Sequence, residues 1–213
     1  MKNKNKIKLF NKKTIFIDKN VIIGKNVTIY ENNRIEGNTV IGDNVIIMPN
    51  SYIKDCKIGN DCIINNSYLE NSVVENNVSI GPFARLRPNS YIKTNAKIGN
   101  FVEIKNTIVG VNTKISHLAY VGDAEIGDNC NIGCGAIFVN YNGKTKSKTI
   151  VKDNVFIGSN CNVIAPVTIE KNSYIVAGTT VTETVNEDDF VIGRVRQENK
   201  GNRAHLYLKN FIK

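Results

Sequence analysis

The stretch VIGDNVIIMPNSYI (residues 40–53) decides the fold: Ile41, Ile47 and Ile53 fall six residues apart, and Ile41 is followed by Gly42, Asp43 and Asn44. Six is a multiple of the two-residue strand period and not of the helical 3.6, so the recurring aliphatic residue faces one way on a series of short strands. Glycine and asparagine supply the turn conformations between those strands. Outward from this stretch, the same step runs back through Ile35 and Ile29 to Ile23. Forward, after a one-residue contraction, it passes Ile58, Ile64, Leu69, Val74, Ile80, Leu86, Ile92, Ile98, Ile104, Val109, Ile115, Val121, Ile126 and Ile132. The opening motif returns almost unchanged as IGDNCN (residues 126–131).

Short strands with a turn every six residues and no helical stretch between them define an all-β hexapeptide solenoid, a parallel β-helix. Three strands make one coil of about eighteen residues, so residues about eighteen apart stack on neighbouring coils at roughly the 4.8 Å strand spacing. The chain is long enough for about ten such coils on that geometry. One long break interrupts the step: after Ile132 the chain runs FVNYNGKTKSKTI (residues 138–150) and resumes at Val151, Ile157, Val163, Ile169, Ile175 and Val181. A loop inserted into a solenoid points to function, and it is expected over 139–150. The expected organisation is a basic extension over 1–14, a β-helix over 15–185 and an arm over 186–213. In that arm, the apolar residues 190–192 are expected to cap the last coil or to cross to a neighbouring subunit.

Composition limits the classes that remain. Hydrophobic residues make up 41% of the 213, yet aromatics reach only 8% and Trp is absent, so a core of branched aliphatics is expected. No apolar run approaches the roughly 18 residues of a membrane span, and the basic N-terminus has no apolar stretch behind it; we expect a cytoplasmic protein without membrane insertion. The five cysteines have no CxxC spacing, which fits reduced thiols and implies no disulfide frame and no metal. Cys62, Cys130 and Cys161 occupy the fifth hexad position, where a small inward side chain is wanted. The net charge of +9 fits solvated lysines or a small anionic substrate; no nucleic-acid partner is expected, because basic and aromatic residues do not interleave.

Stacking arithmetic brings polar residues together. His117, Cys134, Ser159 and Ala177 are the third residues of their units and form one column, about 14 Å long at the strand spacing. Small residues beyond a single His make a narrow track for an extended chain, such as a pantetheine arm ending beside the imidazole. Arg87 and Lys105, eighteen apart, stack as two cations whose repulsion a phosphate would relieve. Glu103 stacks with Tyr120 and comes from the coil before His117, where it is expected to orient the ring. The residues alone give a hexapeptide solenoid with a candidate anion site.

A set of strings that break the repeat carries a resemblance: GPFARLRP (81–88), GNFVEIK (99–105), HLAYVGDAEIGDNCNIG (117–133), NYNGKTKSKT (140–149), FIGSNCNVIAPVTI (156–169) and AGTTVT (177–182). In this order they resemble the acetyltransferase half of the bifunctional N-acetylglucosamine-1-phosphate uridyltransferase/glucosamine-1-phosphate acetyltransferase. The resemblance implies a left-handed coil and a homotrimer with sites between subunits. It also implies transfer of acetyl from acetyl-CoA to the amine of glucosamine 1-phosphate, in the supply of UDP-N-acetylglucosamine for the cell wall.

Residue by residue, the resemblance makes His117 the general base and Glu103 its supporting carboxylate. Arg87, Lys105, Tyr120 and Lys146 match holders of the sugar phosphate, and Asn131, Asn140 and Tyr141 match contacts to the sugar. Ser159, Ala177 and Arg194 match contacts to acetyl-CoA, with Cys134 beside the thioester. Two departures stand out. Cys134 replaces the family's usual Ala, and the chain opens on NKKTIFIDKNVIIG (11–24) without a glycine-rich nucleotide loop, so uridyltransferase chemistry is not expected. Two alternatives remain open: a changed amino-sugar acceptor, and a non-catalytic trimeric scaffold of a sugar-nucleotide pathway.

Overall fold

The computed structural model describes residues 6–208; the outermost parts of the expected extension and arm lie outside the described residues. Short parallel strands wind into a β-solenoid with three faces. The first face is an 11-stranded sheet that starts at Lys8–Leu9 and ends at Phe190–Val191. The other two faces share a 17-stranded sheet. They are joined because Glu103–Val109 and Tyr120–Ile126 each run unbroken round the corner between them. Glu103 and Ile104 pair with Arg85 and Leu86 on the second face, while Ile108 and Val109 pair with Tyr91 and Ile92 on the third.

The hexad aliphatics stack directly on one another. On the first face the register runs Ile29, Ile47, Ile64, Ile80, Ile98, Ile115, Ile132, Ile157 and Ile175. All nine are buried, so each coil closes the apolar surface of the one before it. Cys56, Cys62, Cys130 and Cys161 fill small inward positions in the same core, and all five cysteines are free thiols. Burial pushes the Cys56 thiol up to about 11, which suits packing rather than reactivity.

The expectation of a core without large rings fails at one place. Phe138, six residues after Ile132, is fully buried and pairs with Val163 on the next coil. It keeps the hexad step to the edge of the insertion, where residues 140–148 leave the coil between Ile137–Val139 and Thr149–Val151. That excursion is a tight hairpin. Tyr141 and Lys146 form an antiparallel bridge, Ser147 N–H donates to the Asn140 carbonyl at 2.9 Å, and Asn142 Oδ1 accepts from Lys144 N–H and Thr145 N–H.

Most corners use Asn in the left-handed region, as at Asn44 and Asn50 with φ of 60° and 62°, where the short amide tolerates that geometry. The amides also form ladders: Asn26 Nδ2 donates to Asn44 Oδ1 at 3.2 Å, and Asn44 Nδ2 to Asp61 Oδ1 at 2.9 Å. The corner between the first and second faces departs from this rule on three coils. Phe83, Phe101 and Leu118 occupy it on successive coils with φ of 59°, 56° and 45°, and they are 53%, 55% and 57% exposed. A bulky residue in this conformation costs on the order of 1–2 kcal/mol, so the corner carries strain at three consecutive levels. The Phe83 and Phe101 rings stack with centroids 5.3 Å apart.

At the far end Phe190–Val191 pairs with Tyr174–Ile175 and extends the first face by one strand, the capping arrangement of the two expected. No helix among the described residues is long and apolar enough to cross a membrane.

Candidate active site

His117 closes the strand Lys114–His117, and Asn100 closes Lys97–Asn100 in register directly beside it. The close approach depends on Gly99, where any Cβ would stand 1.9 Å from the Ser116 carbonyl oxygen. The flush coils bring Asn100 Oδ1 within 2.5 Å of His117 Nδ1. A carbonyl oxygen can only accept, so this contact suits the tautomer with the proton on Nδ1 and the lone pair on Nε2. The imidazole itself is exposed.

Register through Ile132, Ile157 and Ile175 sets Cys134, Ser159 and Ala177 on the following coils in line with His117, as the column requires. Cys134 is only partly buried, unlike the four core cysteines. Arg194 reaches the foot of this track: its Cδ lies 3.4 Å from the point where a Gly178 side chain would begin.

A second group of residues gathers on the second face and its far corner. Arg87 Nη1 donates to Glu103 Oε1 at 2.9 Å. Lys105 Nζ lies 3.8 Å from Asp123 Oδ2, Asn106 Nδ2 donates to Asp123 Oδ1 at 2.7 Å, and Asn140 Nδ2 donates to Asp123 Oδ2. Tyr120 stacks in register with Glu103, and its hydroxyl lies over Gly122 together with the Asn140 amide; a Cβ there would sit 2.4 Å and 2.9 Å from the two. Lys146 approaches Lys105, whose contact and charge hold its pKa below the usual lysine value. Burial raises the Asp123 pKa, but the hydrogen bonds from Asn106 and Asn140 and the charges of Lys105 and Lys146 outweigh it, and the carboxyl lies below the ordinary range.

Two expectations change here. Glu103 does not orient His117 within the chain; it is engaged by Arg87, and Asn100 takes the Nδ1 contact instead. Arg87 and Lys105 are not an unpaired stack of cations, because Glu103 and Asp123 each supply a carboxylate. The excess positive charge sits one step over, at Lys105 and Lys146 against the single carboxylate of Asp123.

The remaining candidates are dispersed. Tyr141 stands exposed on the hairpin with its hydroxyl donating to the Gly143 carbonyl at 2.7 Å. Asn131 lies on the first face, away from the cations, in a shallow cleft of about 450 Å³ with Lys114 and Asn129. A cleft of about 480 Å³ opens beside the hairpin, lined by Asn106, Asp123, Glu125, Lys146 and Lys148. The His117 column runs along the end of the first face, while Lys105, Asp123 and Lys146 meet beyond the start of the second-face strands that open at Glu103 and Tyr120. Residue counting missed Asn100 and Asp123; both follow the coil step, Asn100 lying 17 residues before His117 and Asp123 lying 17 after Asn106.

Comparison with known proteins agrees with this architecture. The family model "Bacterial transferase hexapeptide (six repeats)" matches residues 38–70 and 148–183, and the GMPPB C-terminal domain model matches 68–138. Bifunctional protein GlmU of Caldicellulosiruptor saccharolyticus is 51% identical over 144 residues, 68% of this chain and 31% of that protein. GlmU of Clostridium novyi is 52% identical over 130 residues, 61% of this chain and 28% of that protein. The chain therefore spans about a third of the length of these relatives. Among solved structures, the Arabidopsis UDP-N-acetylglucosamine acyltransferase shares the fold, with a TM-score of 0.59 and 20% identity over 82% of this chain and 68% of that one. The chain is a hexapeptide-repeat protein of the left-handed parallel β-helix class. Within that class it is a homologue of GlmU, over the acetyltransferase part.

Proposed function

We propose that this protein is an acetyl-CoA-dependent N-acetyltransferase that converts glucosamine 1-phosphate to N-acetylglucosamine 1-phosphate, working in the cytoplasm as a homotrimer with sites between subunits. The observation that carries the proposal is the exposed His117 imidazole, fixed by Asn100 at the head of the Cys134, Ser159 and Ala177 column. The identity to GlmU over 144 residues supports it independently.

In the reaction the amine nitrogen attacks the thioester carbonyl while His117 Nε2 takes the amine proton. The C–S bond then breaks, and CoA departs as a thiolate that gains a proton. A narrow column of small side chains suits the pantetheine arm, Arg194 at its foot suits the charged end of CoA, and backbone N–H groups at Cys134 and Ser159 are assigned to the developing oxyanion. Lys105 and Lys146 receive the sugar phosphate with Arg87. A phosphate between the two lysines removes the repulsion that holds Lys146 below its usual pKa, so binding favours full protonation there. Tyr120, Asn140, Tyr141 and Asn131 are assigned to the sugar.

The trimer is supported by two features. The strained, exposed stripe of Phe83, Phe101 and Leu118 adjoins His117 and offers an apolar surface to another subunit. The separation of the His117 column from the cation cluster within one chain is also what a site shared between copies requires. Replacement of His117 by Ala tests the assignment: loss of a positioned general base should lower kcat by roughly 10² to 10⁴ while acetyl-CoA still binds. Turnover within a few-fold of the parent would remove His117 from the mechanism.

A further inference from the structure

The residue beside His117 on the preceding coil has a role that the carboxylate at Glu103 was expected to fill. We infer that Asn100 is the positioning residue of the active site, fixing the neutral His117 ring with the proton on Nδ1 and the lone pair on Nε2. The inference rests on the acetyltransferase reading above for its catalytic consequence, and on geometry alone for the tautomer.

Three observations lead to it. Asn100 and His117 are register partners on adjacent strands, so their Cα atoms are held one ladder step apart by backbone pairing rather than by flexible side chains. The contact between Asn100 Oδ1 and His117 Nδ1 is short, 2.5 Å, and the small residue at Gly99 lets the two strands lie flush. Glu103, the carboxylate three residues after Asn100, is occupied at 2.9 Å by Arg87 and so does not compete for the ring.

The choice of an amide over a carboxylate has a chemical consequence. An amide oxygen fixes the tautomer as a carboxylate does, but it adds no negative charge beside the point where the amine and the thioester meet. With the proton on Nδ1, the Nε2 lone pair is what meets the amine proton. Removing the amide leaves His117 free to rotate and to adopt the Nε2–H form, in which the nitrogen facing the substrate is a donor and cannot take a proton.

The test uses the full chain labelled with ¹⁵N-histidine, in which only two histidines, His117 and His205, contribute ring signals. His117→Gln assigns them. The parent should show the Nδ1–H tautomer at His117 above the ring's titration, Asn100→Ala should move it toward Nε2–H, and Asn100→Asp should keep it on Nδ1. In turnover, Asn100→Ala should lose roughly 10- to 100-fold in kcat, part of the roughly 10² to 10⁴ that a positioned base supplies, with KM within about twofold. Asn100→Asp should recover most of that loss.

A His117 tautomer that is unchanged in Asn100→Ala overturns the inference whatever the activity. So does a changed tautomer with kcat unaltered in an active parent. If the parent acetylates no amino sugar at all, the functional reading fails, while the tautomer spectra still decide what Asn100 does to the ring. Circular dichroism of both variants separates either result from misfolding.

Discussion

Asp123 is the node on which the cation cluster and the inserted hairpin depend, and its removal has a size that the structure sets. Its two carboxylate oxygens accept the Asn106 and Asn140 amides, and Lys105 stands 3.8 Å away. Hydrogen bonds to a charged group are worth roughly 1.5–3 kcal/mol each, and the Lys105 contact, being long, adds little. The two bonds end on one carboxylate and do not add independently, so Asp123→Ala should cost about 2–4 kcal/mol. Part of the loss comes from Asn140, a buried residue only 8% exposed, which would keep an unsatisfied amide.

Urea unfolding at fixed protein concentration measures the cost of losing Asp123, since subunit association shifts apparent stability. Asp123→Asn retains an acceptor and should lose less. The Asp123 pKa is depressed in the folded chain, so its stabilisation is present above the unfolded value of about 3.9 and is lost as pH falls through the folded value. The gap between the parent and Asp123→Asn should therefore narrow in acid. An Asp123→Ala protein within about 0.5 kcal/mol of the parent would refute the reasoning, because that is the range of substitutions that touch nothing.

Other substitutions probe separate links. Phe138→Ala removes a fully buried ring from the coil that launches the hairpin and should destabilise by about 3–5 kcal/mol in the same urea assay; a loss under about 1 kcal/mol would mean that the coil collapses around the void. Phe101→Asn places at a left-handed corner a residue that tolerates it, so circular dichroism should be unchanged while light scattering shows the proposed trimer weakened by at least about tenfold, the equivalent of roughly 1.4 kcal/mol. An unaltered mass at all concentrations would detach the Phe83, Phe101 and Leu118 stripe from assembly. Lys146→Met should raise KM for the sugar phosphate roughly tenfold with kcat within a few-fold, because it removes a ground-state charge contact. A fall confined to kcat would place Lys146 in the chemical step instead.

The fold was legible because one physical rule, an inward aliphatic every six residues, governs nearly every coil, and the observed register joins the isoleucines that the count joins. Phe138 escaped because its hexad ends in the insertion, where no following unit marks the step. The corners at Phe83, Phe101 and Leu118 escaped because the left-handed conformation is ordinarily written in Gly or Asn, and no local signal marks an aromatic placed there. The column from His117 to Ala177 was legible for the same reason as the core, being set by backbone register. Glu103 and Asn100 were harder to tell apart. Long side chains reach diagonally across a ladder, so Glu103 meets Arg87 from the coil above, sixteen residues away, while a coil step of 17 rather than eighteen brings Asn100 onto His117.

Acetyl transfer from acetyl-CoA to the amine of glucosamine 1-phosphate is measured directly as release of free CoA thiol by the purified protein, with product mass recorded in parallel. The account predicts thiol release that requires the sugar phosphate and a product heavier than the sugar by one acetyl group. No thiol release with glucosamine 1-phosphate, under conditions where acetyl-CoA binds, would contradict it.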